Sequence, residues 1–141
     1  MIKYTLIYGL LTFAIGCVAQ KSGDEKIVKT AILEFAKAAD AQDVKKLESL
    51  LDRNFRIVMN QLFGSTEISL VDRAFYLSKI ESKEWGGDNR KVTIESLTIV
   101  GNNASAKVTL AGEKSTIISL LQLVKDADGN WKVINDVPAL G

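Results

Sequence analysis

Apolar positions between Asp24 and Asp40 recur at helical spacing. Val28, Ile32, Phe35 and Ala39 follow one another at steps of four, three and four, so they share one face of a helix. Asp43 stands where an N-cap belongs, ahead of a short second helix bearing Val44, Leu47, Leu50 and Leu51. The period changes at "NFRIVMN", where Phe55, Ile57 and Met59 alternate as in a strand. "SLVDRAFYLSKI" returns to helical spacing through Leu70, Ala74, Leu77 and Ile80, with Ser69 and Asp72 at the separation of a capping box, and "EWGGDNR" breaks it. Beyond Arg90 the chain reads as strands. "VTIESLTIV" and "ASAKVTLAG" flank Gly101, Asn102 and Asn103, while "STIISLLQLV" and "WKVINDV" flank Asp128, Gly129 and Asn130, so two hairpins are expected. Helices first and strands afterwards predict an α+β domain with N-terminal helices packed on one face of a curved antiparallel sheet.

Strict alternation then assigns faces. With Asn102 and Asn103 as a two-residue turn, Leu97 pairs with Val108 and Glu95 with Leu110, which sets Glu95 on an otherwise apolar face. Desolvation there would raise its pKa and suit it to general acid or base work; near an open sheet end it would instead be a solvated surface group. A four-residue loop from Ala127 to Asn130 sets Gln122 opposite Asn135, so two amides meet on an apolar strip. They serve there either as ligand contacts or as a structural pair, and a loop longer by one residue would separate them. Phe35, Tyr76, Trp85 and Trp131 are large enough to build the core, its rim or the walls of a pocket.

One strand is apolar on both sides. Ile117, Leu121 and Leu123 occupy one parity of "STIISLLQLV" and Ile118, Leu120 and Val124 the other. Only one of these faces can meet the helices, and a free face of an antiparallel sheet is ordinarily polar. A homodimer whose interface includes Leu121 and Leu123 is the expected second layer.

The first residues change the picture of where the domain works. "MIKYTLIYGLLTFAIGCVAQ" has one charge at Lys3, an uncharged apolar stretch and then small residues, which is the layout of a secretory signal. Cleavage after Ala19, lipidation at Cys17 within "AIGC", and retention as an anchor are the three outcomes. The expected organisation is a signal over residues 1–19, a linker over 20–25 and one domain over 26–138, exported to the periplasm or the exterior. The chain has 18 basic and 17 acidic residues, and losing Lys3 balances them, so clustered charge for nucleic acid is not expected. With no histidine and one cysteine, itself in the signal region, soft-metal and disulfide chemistry are poor expectations. "KDAD" lacks the oxygen count of a calcium loop. No cofactor or metal is expected.

The order of elements, with "FAKAADAQDVKKLESLLDRNFRIV" and the closing "LVKDADGNWKVINDV", resembles the cone-shaped nuclear transport factor 2-like (NTF2-like) fold over Lys26 to Pro138. Within it the chain is similar to the small secreted bacterial proteins of the "putative lumazine-binding" family. That resemblance implies a cone able to hold a small ligand, in a superfamily that spans isomerases, dehydratases, cyclases and non-catalytic modules. The lack of histidine removes the histidine-dependent versions of the dehydratase and cyclase chemistry. Three readings follow: a ligand-binding or assembly domain using Phe35, Tyr76, Glu95, Gln122 and Asn135; an isomerase-like enzyme with Glu95 as base and Tyr76 as oxyanion donor; and an interaction module with a filled interior.

Overall fold

The protein is described by a computed structural model over residues 15–141, with side chains from residue 23 onward. The helices are α1 (Ile15–Asp40), α2 (Val44–Leu50) and α3 (Arg73–Glu81). The strands are β1 (Leu51–Asn60), β2 (Ile68–Asp72), β3 (Lys91–Val100), β4 (Asn103–Ala111), β5 (Thr116–Lys125) and β6 (Trp131–Leu140). They form a six-stranded sheet in the order β2-β1-β6-β5-β4-β3. Neighbours are antiparallel except for the parallel pair β1 and β6. The α+β class and the helices on one face of a curved open sheet stand as the sequence predicts.

The helical stripe of α1 is buried along its length at Val28, Ile32, Phe35 and Ala39. Asp43 caps α2 by accepting from the Lys46 amide at 2.9 Å. Leu47 and Leu50 face the core, and Leu51 opens β1 instead of closing the helix. The inner face of the sheet supplies the rest: Phe55 and Ile57 from β1, Ala104, Ala106, Val108 and Leu110 from β4, Leu121 and Leu123 from β5, and Val133 from β6.

Three expectations change. "SLVDRAFYLSKI" is divided: Ser69 and Leu70 lie in edge strand β2, and the helix begins only after Asp72, whose carboxylate accepts from the Phe75 amide at 2.8 Å. Leu70 and Ala74 are therefore exposed, and α3 buries Tyr76, Leu77 and Ile80. A single N-cap at the residue beside the buried turn suffices, so the capping-box spacing from Ser69 is not used. The polar stretch over residues 20–25 lies within α1, because it holds no proline and only one glycine against several good helix formers. Asp24 is tied into the domain, accepting from Lys125 Nζ at 2.9 Å and from Trp131 Nε1 at 3.3 Å, so the folded unit includes residues before Lys26. The export signal and Cys17 lie outside the residues whose side chains are described. Among the described residues no helix is long and apolar enough to cross a membrane.

The third change concerns the dimer residues. Leu121 and Leu123 are each 1% exposed, packed in this chain's own core. They are not surface residues available to a second copy. The doubly apolar strand is real, but its uncovered parity is the other one: Ile118, Leu120 and Val124, with Leu120 52% exposed.

Candidate functional site

The cone holds a cavity of about 400 Å³ between α1, α3 and the inner face of β1, β5 and β6. Its walls are largely apolar: Phe35 and Ala39 from α1, Tyr76 and Ile80 from α3, Ile57 and Met59 from β1. Aromatic side chains form a continuous stack along one side, with ring centroids 6.5 Å apart for Phe35 and Tyr76, 5.4 Å for Phe55 and Tyr76, and 6.2 Å for Tyr76 and Trp85. The spacing suits tilted aromatic packing and holds the Tyr76 ring among three neighbours. Burial is the main cause that pushes the Tyr76 phenol up, so it remains a neutral hydroxyl.

The loop after α3 is held at the cavity by the end of α1 and the turn that follows it. Gln42 Nε2 donates to the Trp85 carbonyl at 2.9 Å, and the Gly87 amide donates to the Ala39 carbonyl at 3.4 Å. Gly86 adopts φ 76°, and a Cβ there would lie 2.2 Å from the Ala39 carbonyl oxygen, so no other residue fits this crossing. The loop then delivers Arg90. Its Nε donates to Asp40 Oδ1 at 2.5 Å and its backbone amide to Asp40 Oδ2 at 3.0 Å, so the guanidinium is fixed against the C-terminal end of α1.

The most unusual group in the cavity is Asp136. It is 8% exposed, on the inner face of β6, and burial pushes its carboxyl up to about 7. The Ser119 hydroxyl and the Arg90 charge pull the other way without offsetting the burial. Ser119 stands close enough for its hydroxyl to favour the charged form, but no hydrogen bond of good geometry joins the two: Asp136 Oδ1 and Ser119 Oγ are both buried without a protein partner. Buried polar atoms ordinarily have partners, so an ordered water or a bound group is needed to satisfy these two. Both residues line the cavity.

The residues expected from sequence divide. Phe35 and Tyr76 do line the cavity, together with Trp85, whereas Trp131 is a core residue held by Asp24. Glu95 does not line it. An extra residue between the Ile94–Val108 and Ser96–Lys107 pairs makes a bulge, and Glu95 sits on it, exposed on the outer face. Lys107 Nζ stands 2.7 Å from its carboxylate and Thr109 donates to it, and these bonds hold Glu95 below the usual carboxylate range. Of the two expectations for Glu95, the solvated surface group matches the structure, and the raised-pKa general acid or base is corrected to a surface ion pair.

Gln122 and Asn135 are cross-strand partners, as the sequence suggests, yet on the outer face. The turn is one residue longer than expected, over residues 126–130, which pairs Lys125 with Trp131; a bulge at Ile134 then shifts the register back. The two displacements cancel in the pairing but not in the facing. Asn135 accepts from Arg56 Nε at 3.3 Å, and neither amide lines the cavity. The same bulge turns Asp136 inward. Alternation alone misses it, although two adjacent polar residues inside "VINDV" signal that one of them faces the core whatever the register.

A family model described as "Putative lumazine-binding" matches residues 23–137, the extent of the cone just described. The chain belongs to the putative lumazine-binding family. No curated protein shows significant similarity to it. Among solved structures, an NTF2-like protein of unknown function from Silicibacter pomeroyi superposes with TM-score 0.74 at 15% identity, over 86% of this chain and 98% of that one. An NTF2-like protein of unknown function from Shewanella baltica gives 0.73 at 13% identity, over 85% and 95%. A "putative ketosteroid isomerase" from Shewanella frigidimarina gives 0.59 at 18% identity, over 78% and 92%. At these identities the likeness is one of fold. This member of the "putative lumazine-binding" family is an NTF2-like cone, and among its described residues no cluster of His, Cys, Asp and Glu is arranged to hold a metal.

Proposed function

We propose that the domain receives a small, largely apolar organic molecule in its cone and holds it without transforming it, acting outside the cytoplasm. The observation that supports this is the cavity of about 400 Å³ with apolar walls and two unpartnered polar atoms on one side. Ligand pockets are typically of this size, mostly apolar with a few placed polar groups. A filled interior, the reading as a pure interaction module, loses support for the same reason. The test is mass spectrometry of small molecules copurifying with the protein, with lumazine added as the first trial ligand on the strength of the family's name. A Leu110→Trp variant, which projects a ring from the cavity wall, is expected to lose the molecule while remaining folded; retention would remove the cone as the site.

The assembly role moves to the outer face of the sheet. Ile118, Leu120 and Val137 there, with Ile68 and Leu70 on β2, suit a homodimer, and export follows from the signal-like residues 1–19. Sedimentation at tens of micromolar, on the order of ordinary assay concentrations, tests the dimer. Intact mass of protein from a bacterial envelope tests processing, by loss of residues 1–19 or a lipid on Cys17.

A second reading, carboxylate catalysis, rests on Asp136 in place of Glu95. A carboxyl pushed up to about 7 beside the neutral Tyr76 hydroxyl is suited to proton transfer at neutral pH, and one fold neighbour is titled a "putative ketosteroid isomerase". Ketosteroid isomerisation by the wild type, abolished in Asp136→Asn, would establish it.

A further inference from the structure

The polar groups of the cone have an imbalance that narrows the ligand class. Arg90 is engaged by Asp40 through both its Nε and its backbone amide, and its Nη2 reaches the Ala36 carbonyl at 3.5 Å. It is therefore committed to α1 and makes no hydrogen bond to Asp136. At the rim, Glu84 pairs with Lys79 at 2.6 Å, and Asp88 accepts from the Asn89 amide at 2.8 Å. Glu84, Asp88 and Asp136 line the cavity against Arg90 and Lys114, and Asp40 neutralises Arg90. The charge left over inside, once Asp136 is ionised, is that of its carboxylate.

The two unpartnered atoms point the same way. An ionised carboxylate only accepts hydrogen bonds, and a serine hydroxyl can accept as well as donate. A group rich in donors satisfies both at once. Phe35, Tyr76 and Trp85 supply aromatic surface to the cavity, and aromatic rings attract a cation as it leaves water. The fold has already removed the carboxylate from solvent, so the attraction acts at low dielectric.

We infer that the cone selects an organic cation, an amine or amidine carried on an aromatic or aliphatic body, whose N–H groups donate to Asp136 Oδ1 and Ser119 Oγ while its body packs along Phe35, Tyr76 and Trp85. This inference rests on the ligand-binding reading and names the charge of the ligand. It also fixes the direction of pH dependence. The cation requires ionised Asp136, so affinity rises with pH up to about 7 and levels off above it. A ligand presenting a carbonyl requires the protonated acid and shows the reverse. Of the other titratable groups lining the cavity, Tyr76 is raised and stays neutral in this range, and Glu84 and Asp88 are lowered and stay ionised. Arg90, paired with Asp40, and Lys114 complete the charged surroundings.

Three probes of one shape test it by calorimetric titration of the full domain: tryptamine as the cation, indole-3-ethanol as the neutral isostere and indole-3-acetate as the anion. Tryptamine is expected to bind at least about tenfold more tightly than either, with affinity falling by up to about tenfold per pH unit below the Asp136 midpoint. Asp136→Asn should abolish the preference while indole-3-ethanol still binds, and circular dichroism checks that the variant is folded. Equal or tighter binding of indole-3-ethanol or indole-3-acetate by wild type overturns the cation and leaves the ligand-binding reading intact. A cation preference that survives in folded Asp136→Asn overturns the assignment to Asp136. Should that variant fail to fold, the pH profile of wild-type tryptamine binding decides alone: a flat or falling profile from pH 5.5 to 8.5, on the order of the range that spans the Asp136 midpoint, rejects it. Failure of all three probes counts against the cone as a receptor as well.

Discussion

Asp136 and Glu95 are both carboxylates beside a β-bulge, and the bulges send them to opposite sides of one sheet. Glu95 lies outside, exposed and bonded to Lys107 and Thr109, with its pKa lowered. Asp136 lies inside, 8% exposed, with Oδ1 unpartnered and its pKa raised by burial to about 7. Both side chains occur in segments of similar pattern, "TIESL" and "VINDV". What separates their chemistry is the face, because solvent and a lysine stabilise the charged form on one side while apolar surroundings penalise it on the other. The same division holds for Leu120 and Leu121, adjacent in sequence, one 52% and the other 1% exposed.

The largest test of this division uses the two leucines. Leu121→Ala is expected to cost about 2–5 kcal/mol in denaturant unfolding, since it opens a cavity in the core. Leu120→Ala should change stability by less than about 1 kcal/mol in the monomer, and Leu120→Lys should dissociate a dimer without unfolding the chain. Similar losses for Leu120→Ala and Leu121→Ala would erase the assigned faces.

Next comes the pH dependence of Asp136. Its folded pKa, about 7, lies above the ordinary unfolded value, so the folded state binds an extra proton between the two. The contribution of this group to stability is full below the unfolded pKa and is lost as pH rises through about 7. Asp136→Asn should therefore gain on wild type as pH rises from the acid range to about 7, by up to about 4 kcal/mol. Urea melts of both proteins at several pH values measure the gap. A gap that narrows with rising pH would contradict the buried inward carboxyl.

Asn135→Leu probes the neighbouring residue on the other face. It removes the acceptor for Arg56 Nε and should cost on the order of 1 kcal/mol, leaving the retention of any cavity ligand unaltered. Loss of ligand in a folded variant would place Asn135 in the cone after all.

The smallest effect is expected at Glu95→Gln. Its exposed bonds with Lys107 and Thr109 stabilise the fold above the unfolded pKa, and that contribution is lost as pH falls through the lowered folded value. Melting near neutral pH should shift little, and binding or turnover in the cone not at all; a loss of turnover would restore Glu95 to the site.

Much of the architecture is legible in the periodicity alone. The stripe Val28, Ile32, Phe35 and Ala39, the cap at Asp43, the alternation of β1 and the two closing hairpins all follow from local spacing, since a helix or strand can bury only the positions its period brings to one side. One bulge leaves a trace in the sequence that strict alternation overlooks. Val92, Ile94, Leu97 and Ile99 face inward, and the step of three in the middle is the extra residue that puts Glu95 outside. Phe35 and Tyr76 were identifiable as wall candidates because large aromatics near a helix stripe seek the interior.

The tertiary structure decided the rest. Whether Asn135 or Asp136 looks into the cone depends on a turn one residue longer and a bulge at Ile134, and in the sequence either register of "VINDV" is equally consistent with the alternation. Which parity of β5 is covered depends on where α1, α2 and α3 pack, since Ile118, Leu120 and Val124 are as apolar as Ile117, Leu121 and Leu123. β2 became a strand because the edge of β1 was there to pair with it, which no local preference of Ser69 or Leu70 required. Local spacing specifies which residues share a face; only long-range pairing specifies which face looks inward, and the chemistry of a carboxylate in this cone follows from the second.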